Sequence, residues 1–306
     1  MACYSHKIVF SLSIQLPGRL LPEERMRLAY YAVRSLWVET GLRFGTTAKV
    51  SPNSSPRDHL QWWQAGVDAV FDETATGLPA DWDHPTLRLL RLIVQEGTPW
   101  QKDHFDNILA GRMKDLDVKQ YETLQDLVRH AEQSCANLSQ LVLISGNVLA
   151  QENPVSHEAA RLVGVCHGLT NALRTSIPVV STTGKLIIPV ELTTKYGVRS
   201  PRYLLSALGQ GDAECVAALQ NAVKDIATRA RESLQEARDL RGQLLIEAGG
   251  DKAVAVLLPG LASEGFLDRL QAKEFLLTDR NLRNVGAMEH FSCASRMILS
   301  YLRKMY

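Results

Sequence analysis

Apolar side chains recur every three or four residues over most of the chain, which is the spacing that places them on one face of an α-helix. Three stripes stand out, at 124–142, 159–173 and 219–244. The last of them predicts a helix of about seven or eight turns at 3.6 residues per turn. The pattern therefore predicts a chain built almost entirely of helices.

Local residues indicate where these helices begin and end. Thr123 and Asp126 form a capping-box pattern before the first stripe, with Asp in the position usually held by Glu or Gln. Pro154 suits the start of the second helix, and Pro178 is expected to end it because its ring blocks the preceding turn. Residues 178–190 read PVVSTTGKLIIPV and are the one β-like segment, which predicts a hairpin or an extended flap.

No internal repeat and no linker long enough to split the chain interrupts this pattern, so residues 21–306 are predicted to form one α domain. Residues 1–20 lack acidic side chains but contain His6, Lys7 and Arg19. This composition is weakly typical of a mitochondrial transit segment, and a plain N-terminal tail is the alternative.

The composition fits a large folded core. Hydrophobic residues make up 45% of the 306 residues, and no apolar run approaches the length of a membrane span. The five cysteines include no CxxC pair, which indicates buried free thiols in a reducing compartment.

Charge is balanced overall but not along the chain. Lys and Arg number 34 against 33 Asp and Glu, so the net charge of +1 argues neither for nor against a nucleic-acid partner. Residues 1–60 carry eight basic against four acidic residues, residues 61–150 seven against thirteen, and residues 276–306 five against two. This distribution predicts either a basic face beside an acidic one or unpatterned surface charge.

Two acidic clusters could suggest a metal site. Asp115 and Asp117 lie two positions apart on a helix, so their side chains point in nearly opposite directions. Asp103 and Asp106 lie at an apparent helix start, where acidic residues are favourable. The sequence therefore predicts no metal and no cofactor.

Several motifs in a fixed order resemble a known family. They are LAYYAVR at 28–34, GRMKDL at 111–116, LTN at 169–171 followed by Arg174, IPVEL at 188–192 and YGV at 196–198. Together they resemble the squalene/phytoene synthase superfamily, whose active members are all-α enzymes that join two prenyl diphosphates. The resemblance implies an all-α, single-domain, isoprenoid-synthase-like helical bundle.

The resemblance also implies that the metal ligands are missing. In the active enzymes an Asp follows the matching Arg, and a second acidic residue lies one helical turn later. Those positions hold Thr175 and Val179 here, and Glu39 is the one acidic residue in the stretch that follows Arg34. Mg²⁺ bound to a diphosphate requires oxygen ligands, normally carboxylates, which a hydroxyl and an isopropyl group do not replace.

No catalytic residue is predicted, but the family motifs indicate which residues line the remnant of the pocket. Arg34 and Arg174 could bind an anion, although without metal ligands we expect them to pair with internal Asp or Glu. Glu39 is expected to form a salt bridge or a partner contact, and Asn171 to hold helix packing. The remnant pocket comprises Arg34, Glu39, Asn171, Arg174, Thr175 and Val179.

One branch of the superfamily matches better than the enzymes do. Trp62-Trp63, the stretch from Arg112 to Leu127 and the segment GFLDRLQAKEF at 265–275 resemble the mitochondrial complex I assembly factors that have this fold. Trp62 and Trp63 are candidate interface residues, because exposed Trp often anchors an interface; two buried rings are the alternative.

The resemblance to that branch implies a non-catalytic assembly or structural factor in the mitochondrial matrix, with protein subunits of a large complex as partners. Respiratory complex I and the mitochondrial ribosome are both open as that complex, and RNA contact is permitted but not required. The alternatives are an isoprenyl diphosphate transferase with unusual metal ligands and a lipid-binding protein.

Overall fold

The computed structural model describes residues 12–41, 55–74, 77–198, 200–279, 282 and 287–306. Helices and their connections account for all of these residues, and no strand occurs among them, so the all-α prediction is confirmed. None of the helices in these ranges is long and apolar enough to cross a membrane.

The helices follow one another with short connections. They are α1 (Leu12–Leu20), α2 (Glu24–Gly41), α3 (Pro56–Phe71), α4 (Pro85–Gln95), α5 (Lys102–Asp117), α6 (Leu124–Ala131), α7 (Asn137–Ser145), α8 (Pro154–Thr183), α9 (Val190–Tyr196), α10 (Pro201–Gln210), α11 (Ala213–Asp239), α12 (Arg241–Leu244), α13 (Gly250–Leu257), α14 (Pro259–Ala272) and α15 (Ala287–Leu302). A π-helical turn, Glu132–Ala136, joins α6 to α7, and a short 3₁₀ helix, Ala80–Trp82, precedes α4.

The 30-residue helix α8 lies at the centre of the bundle. It packs against α11, the π-turn, α14, α6, α7 and α13, so most of the core lies around it. One continuous cluster of buried apolar side chains extends from Leu21, between α1 and α2, to Leu282 after α14, and it includes Tyr306. The chain is therefore a single domain built around one helix.

Two glycines allow the closest of these contacts. A Cβ added to Gly164 would overlap the backbone of Ala136 in the π-turn, and one added to Gly168 would lie 2.5 Å from the Cβ of Ala131. Only helices with small residues at the crossing can approach this closely. The pair at 164 and 168 is thus a packing device between α8 and the α6–π segment.

Most of the predicted helix boundaries are confirmed. Thr123 and Asp126 form a reciprocal capping box at the start of α6, and Pro154 opens α8. The capping box satisfies two backbone donors that the first turn leaves without helical partners.

The prediction that Pro178 ends the helix was wrong. Helix α8 continues through Pro178 to Thr183 and ends at Gly184, whose φ of 69° is left-handed. Pro178 is exposed, so water can reach the carbonyl group of Arg174 that loses its helical donor. Beyond the proline, the hydroxyl groups of Ser181, Thr182 and Thr183 donate to carbonyl oxygens four residues earlier.

The predicted hairpin or flap at 178–190 is also absent. Residues 178–183 are helical, 184–189 form an irregular connection, and Val190 already begins α9. The β-branched residues in the helical part favour a strand only by propensity, which the surrounding packing overrides.

The predicted N-terminal tail at 1–20 contains a helix. Residues 12–20 form α1, which packs against α15 from the other end of the chain. Residues 1–11 lie outside the described residues. The helical domain therefore begins at least nine residues before the predicted boundary at 21.

Candidate functional site

The residues assigned to the remnant pocket come from two helices that face each other. Arg34 lies on α2, and Asn171, Arg174, Thr175 and Val179 lie on the second half of α8. His167, one turn before Asn171, brings the two helices together: an Nη1 of Arg34 lies 3.4 Å from its Nε2. We refer to the space around Arg34, His167 and Arg174 as the recess.

Polar groups on α8 are mostly engaged within that helix. Nη2 of Arg174 donates to Oδ1 of Asn171 at 2.7 Å, and the Thr175 hydroxyl donates to the carbonyl oxygen of Asn171 at 2.8 Å. Val179 is half-buried. Val179 offers no oxygen to a cation in the recess, and Thr175 offers only a neutral hydroxyl oxygen in place of a carboxylate.

The expectation that Arg34 and Arg174 pair with internal Asp or Glu was wrong. Neither forms an ion pair with a carboxylate anywhere in the part of the chain that the structure describes. Arg34 contacts His167 and lies 5.5 Å from the ring centroid of Tyr30, whereas Arg174 contacts Asn171. Positive charge thus collects in the recess, and no carboxylate of the described ranges is paired with it.

Burial and this positive charge act together on His167. Burial lowers its pKa well below the usual value, and the charges of Arg34 and Arg174 lower it further. The ring is therefore neutral at pH 7, and the hydrogen bonds agree with one tautomer. Nδ1–H donates to Oγ of Ser263 at 3.1 Å, which leaves Nε2 to accept from Arg34.

A further arginine, Arg269 on α14, adds to the same field. Burial lowers the pKa of Arg174, and the charges of Arg269 and Arg34 lower it as well. Arg174 is nonetheless exposed. Its side chain lies at the mouth of the recess, where protein surrounds it but solvent still reaches it. A recess with three arginines and a neutral histidine can attract an anion, and among the described residues no cluster of acidic side chains is arranged to hold Mg²⁺.

Beside the recess, an unpredicted pair closes the space under α2. The guanidinium carbon of Arg112 lies 3.3 Å from the ring centroid of Trp37, and its Nη2 donates to the Trp37 carbonyl oxygen at 3.0 Å. Burial lowers the pKa of Arg112 to about 10, although it stays charged at neutral pH. Trp37 stands in the stretch after Arg34 that is acidic in the resembling enzymes, and here it stacks on a buried cation.

A second polar group lies on the other side of Arg112. Asp115 accepts a hydrogen bond from the Tyr121 hydroxyl at 2.9 Å and lies 3.3 Å from Nδ1 of His130. Burial raises the pKa of Tyr121 and lowers that of His130, so both are neutral at pH 7. Asp115 is therefore engaged in a side-chain network, and Asp117 pairs with Arg57 at the surface, 2.8 Å away.

The other acidic candidates are also engaged with protein groups. Asp106 bonds Lys102 at 2.8 Å and Gln64 at 2.7 Å. Glu39 is half-buried at the end of α2. Among the described ranges, no group of three or more His, Cys, Asp or Glu side chains is arranged to hold a metal ion.

The two adjacent tryptophans differ in their exposure. Trp63 is fully buried, and its Nε1 donates to Nε2 of His59 at 3.2 Å. Trp62 is half-buried and packs edge-to-face on Trp63 and His84, with centroids 5.2 and 6.1 Å away. Trp63 therefore cannot contact a partner in this fold, and only Trp62 remains a candidate interface residue.

Sequence motifs located Arg34 and the α8 residues, but they missed His167, Arg269, Arg112 and Trp37 as members of the site. These four come from α8, α14, α5 and α2. Their only shared signal was an apolar helical pattern interrupted by a polar or aromatic residue, which many surface positions share.

A family model described as squalene/phytoene synthase matches residues 12–287. Three similar curated proteins are named NADH dehydrogenase (ubiquinone) complex I, assembly factor 6, or its homolog. The Dictyostelium discoideum protein is 27% identical over 84% of this chain and 65% of its own length. The Drosophila melanogaster and Bos taurus proteins are 26% and 23% identical, over 86% and 88% of this chain and 72% and 73% of their own lengths.

Solved structures agree in fold. A dehydrosqualene synthase in complex with a ligand superimposes with a TM-score of 0.71 at 18% identity, over 98% of this chain and 96% of that one. The squalene synthase HpnC from Alicyclobacillus acidocaldarius gives 0.65 at 14% identity, over 85% and 88%. At these identities the superpositions establish the isoprenoid-synthase-like bundle and nothing about activity.

Proposed function

The chain belongs to the squalene/phytoene synthase family, and we propose that within that family it is a non-catalytic assembly factor of respiratory complex I. The observation that carries the non-catalytic part is the charge of the recess. Arg34, His167 and Arg174 lie together, and no carboxylate of the described residues pairs with either arginine, whereas a metal-dependent prenyl transferase needs several oxygen ligands for Mg²⁺.

The assembly role is supported by the names of the relatives. The similar proteins from Dictyostelium discoideum, Drosophila melanogaster and Bos taurus are all called complex I assembly factor 6 or its homolog. The similarity extends over 84%, 86% and 88% of this chain, respectively. These names support complex I rather than the mitochondrial ribosome as the assembly served, and we propose that the protein acts in the mitochondrial matrix.

Depletion and rescue would test the assembly role. We expect cells that lack the protein to lose assembled complex I on native gels while the other respiratory complexes remain. Affinity purification of the tagged full chain from mitochondria should recover complex I subunits or their precursors. Unchanged complex I after depletion would overturn the proposal, and co-purification of ribosomal subunits instead would assign the protein to the mitochondrial ribosome.

The rescue can also test whether the recess is catalytic. A variant with Arg174→Gln should restore complex I as well as the wild-type chain does, because a non-catalytic factor does not depend on that guanidinium for turnover. Arg57→Gln, which removes an exposed partner of Asp117, provides the matched control. Failure of Arg174→Gln alone, with normal folding and abundance, would contradict a purely structural recess.

A prenyl diphosphate transferase that works through unusual ligands is the second candidate. It is favoured by the cations that no carboxylate neutralises, because Arg34 and Arg174 could receive the phosphate oxygens. Purified protein incubated with Mg²⁺ and labelled prenyl diphosphate should give no condensed product if the chain is non-catalytic. Turnover that Glu39→Ala abolishes would establish the enzyme instead.

A further inference from the structure

A polar cleft lies between α5 and the segment formed by the π-turn and α7. Its cavity volume is about 550 Å³, and it shares no residue with the recess. Nδ2 of Asn137 donates to the carbonyl oxygen of His104 at 2.8 Å near one end. At the other end, Asp115 lies 3.3 Å from Nδ1 of His130, so the two walls run in opposite directions. We refer to this cleft as the slot.

Side chains at helical spacing line both walls of the slot. They are His104, Asn107 and Lys114 on α5, and Gln133, Asn137 and Gln140 on the opposite wall. From His104 to Lys114 the α5 wall is about 15 Å long at 1.5 Å per residue. An extended polypeptide, at about 3.3 Å per residue, would span this length with about four or five residues.

Three amide side chains in these walls have no partner in the protein. The side chains of Asn107, Gln133 and Gln140 form no hydrogen bond with any group in the described part of the chain. An amide side chain has N–H donors and a carbonyl acceptor, the same two kinds of group that alternate along a peptide backbone. The slot therefore offers donors and acceptors from both sides to a chain that lies between its walls.

The charge of the slot is close to neutral. The Arg161 guanidinium, which enters from α8, bonds Glu132 and, at 2.8 and 2.6 Å, both carboxylate oxygens of Glu158. Burial lowers the pKa of His104, so its ring is neutral at pH 7. Among the lining residues, only the cation Lys114 is without a carboxylate partner from the described residues. One such cation is too few for a nucleic acid, which binds through many phosphate contacts.

Gly111, in the GRMKDL motif, leaves the α5 wall bare near its middle. Glycine is less favourable than alanine inside a helix. Nothing lies within 4 Å of a Cβ added at this position, so packing within the chain does not require the glycine. Ala110 and Ala136 are the other small residues that line the slot. Small side chains at these three positions allow a second backbone to approach the helices closely.

We propose that the slot binds an extended segment of a partner protein, about four or five residues long, through the backbone N–H and C=O groups of that segment. Most small-molecule and cofactor pockets are lined mainly by apolar side chains, whereas polar groups line this slot along both walls. Lys114 at one end favours an acidic side chain in the bound segment. The identity of the partner, a complex I subunit, rests on the proposed assembly role, and the mode of binding rests on the slot alone.

Overlapping synthetic peptides that cover the complex I subunits are the probe for this proposal. We expect a few of them to bind the purified full chain in fluorescence anisotropy titrations. Methylation of backbone nitrogens at the centre of a bound peptide should weaken binding about tenfold, because each methyl group removes a donor and adds bulk. Lys114→Gln should weaken binding by roughly threefold, and only for peptides with an acidic residue.

Two variants of the chain separate binding from damage to the fold. Gly111→Leu fills the slot and should weaken binding at least about tenfold, while the unfolding midpoint stays or rises because leucine favours a helix. Gln133→Ala/Gln140→Ala should weaken binding roughly three- to tenfold per amide. The matched controls are Gly209→Leu in α10, where nothing lies within 4 Å of an added Cβ either, and Gln61→Ala at an exposed position of α3. Neither control should change binding.

Three results would overturn the proposal. They are a peptide set from which nothing binds, binding that Gly111→Leu leaves unchanged, and binding that backbone methylation leaves unchanged. The depletion test of the assembly role fails separately. Loss of complex I on depletion without any bound peptide would keep the assembly role and refute the slot, whereas unchanged complex I together with a peptide bound through the slot would do the reverse.

Discussion

The two halves of helix α8 show how differently one element can be used. From Pro154 to Gly168 the helix is packed so closely against the π-turn and α6 that side chains at Gly164 and Gly168 would not fit. From Asn171 to Thr183 the same helix carries an exposed Arg174, an exposed Pro178 and a row of hydroxyl groups that bond back to the helix. The first half is constrained by the lack of free volume around it, and the second half by the charged and polar groups that it carries.

The difference suggests which changes the protein tolerates. We call the contact of Gly164 and Gly168 with the π-turn and α6 the seam. The seam has no free volume, so added atoms must displace backbone. The recess is reached by solvent, so its arginines can lose or gain partners without rebuilding the core. Substitutions in the two halves should therefore differ in size of effect and in their dependence on pH.

The largest effect should come from filling the seam. Gly164→Val places a branched side chain against the backbone of Ala136, and we expect it to lower the free energy of unfolding by at least about 3 kcal/mol. Gly111→Ala in α5 is the matched control, because nothing lies within 4 Å of a Cβ there. It should be neutral or stabilising by roughly 0.5–1 kcal/mol. Urea unfolding of both variants would measure the contrast, and equal effects would refute the steric account of the seam.

The next effect should appear on mild acidification. Burial lowers the pKa of His84, His104, His130 and His167 below 6.5 in the folded chain. Below pH 6.5 the unfolded chain thus binds more protons than the folded one, and stability falls as the pH falls. Each of these histidines can remove up to about 1.4 kcal/mol per pH unit until its own folded pKa is reached.

Unfolding free energies measured between pH 7.5 and 5.5 would test this dependence. The window lies above the range in which carboxylates with lowered pKa, such as Glu158 and Glu264, begin to bind protons. His167→Gln should give a shallower slope than the wild type. A free energy that stays constant across the window would show that the histidines are not held neutral by the fold.

The smallest effect should come from neutralising the recess. The double variant Arg34→Gln/Arg174→Gln removes two charges that lower the pKa of His167, so that pKa should rise towards its usual value. The slope of stability against pH should flatten, while stability at pH 7.5 changes by less than about 1 kcal/mol. Arg57→Gln at the surface should alter neither. A loss of several kcal/mol at pH 7.5 would mean that the recess arginines are essential to packing.

The helical pattern, the capping box at Thr123 and the start of α8 at Pro154 followed from sequence, because each depends on neighbours within one or two turns. Pro178 misled the prediction for a physical reason. A proline inside a helix removes one hydrogen bond and crowds the preceding turn, and the cost is lowest on an exposed face such as this one, where water can bond the stranded carbonyl. Exposure is a tertiary property that the residues around Pro178 do not reveal.

The features of the candidate site also divide into those that the sequence identified and those that only the structure showed. The motifs identified Arg34, Asn171 and Arg174 as neighbours, but not that the arginines lack carboxylate partners, and not that Arg112 stacks on Trp37. Pairing between helices depends on how far each one is rotated and shifted against the next. Local sequence therefore determined which segments are helices and which residues replace the family's acidic ligands. Only the packing of those helices decided the net charge of the recess, because that charge arises from residues that lie far apart along the chain.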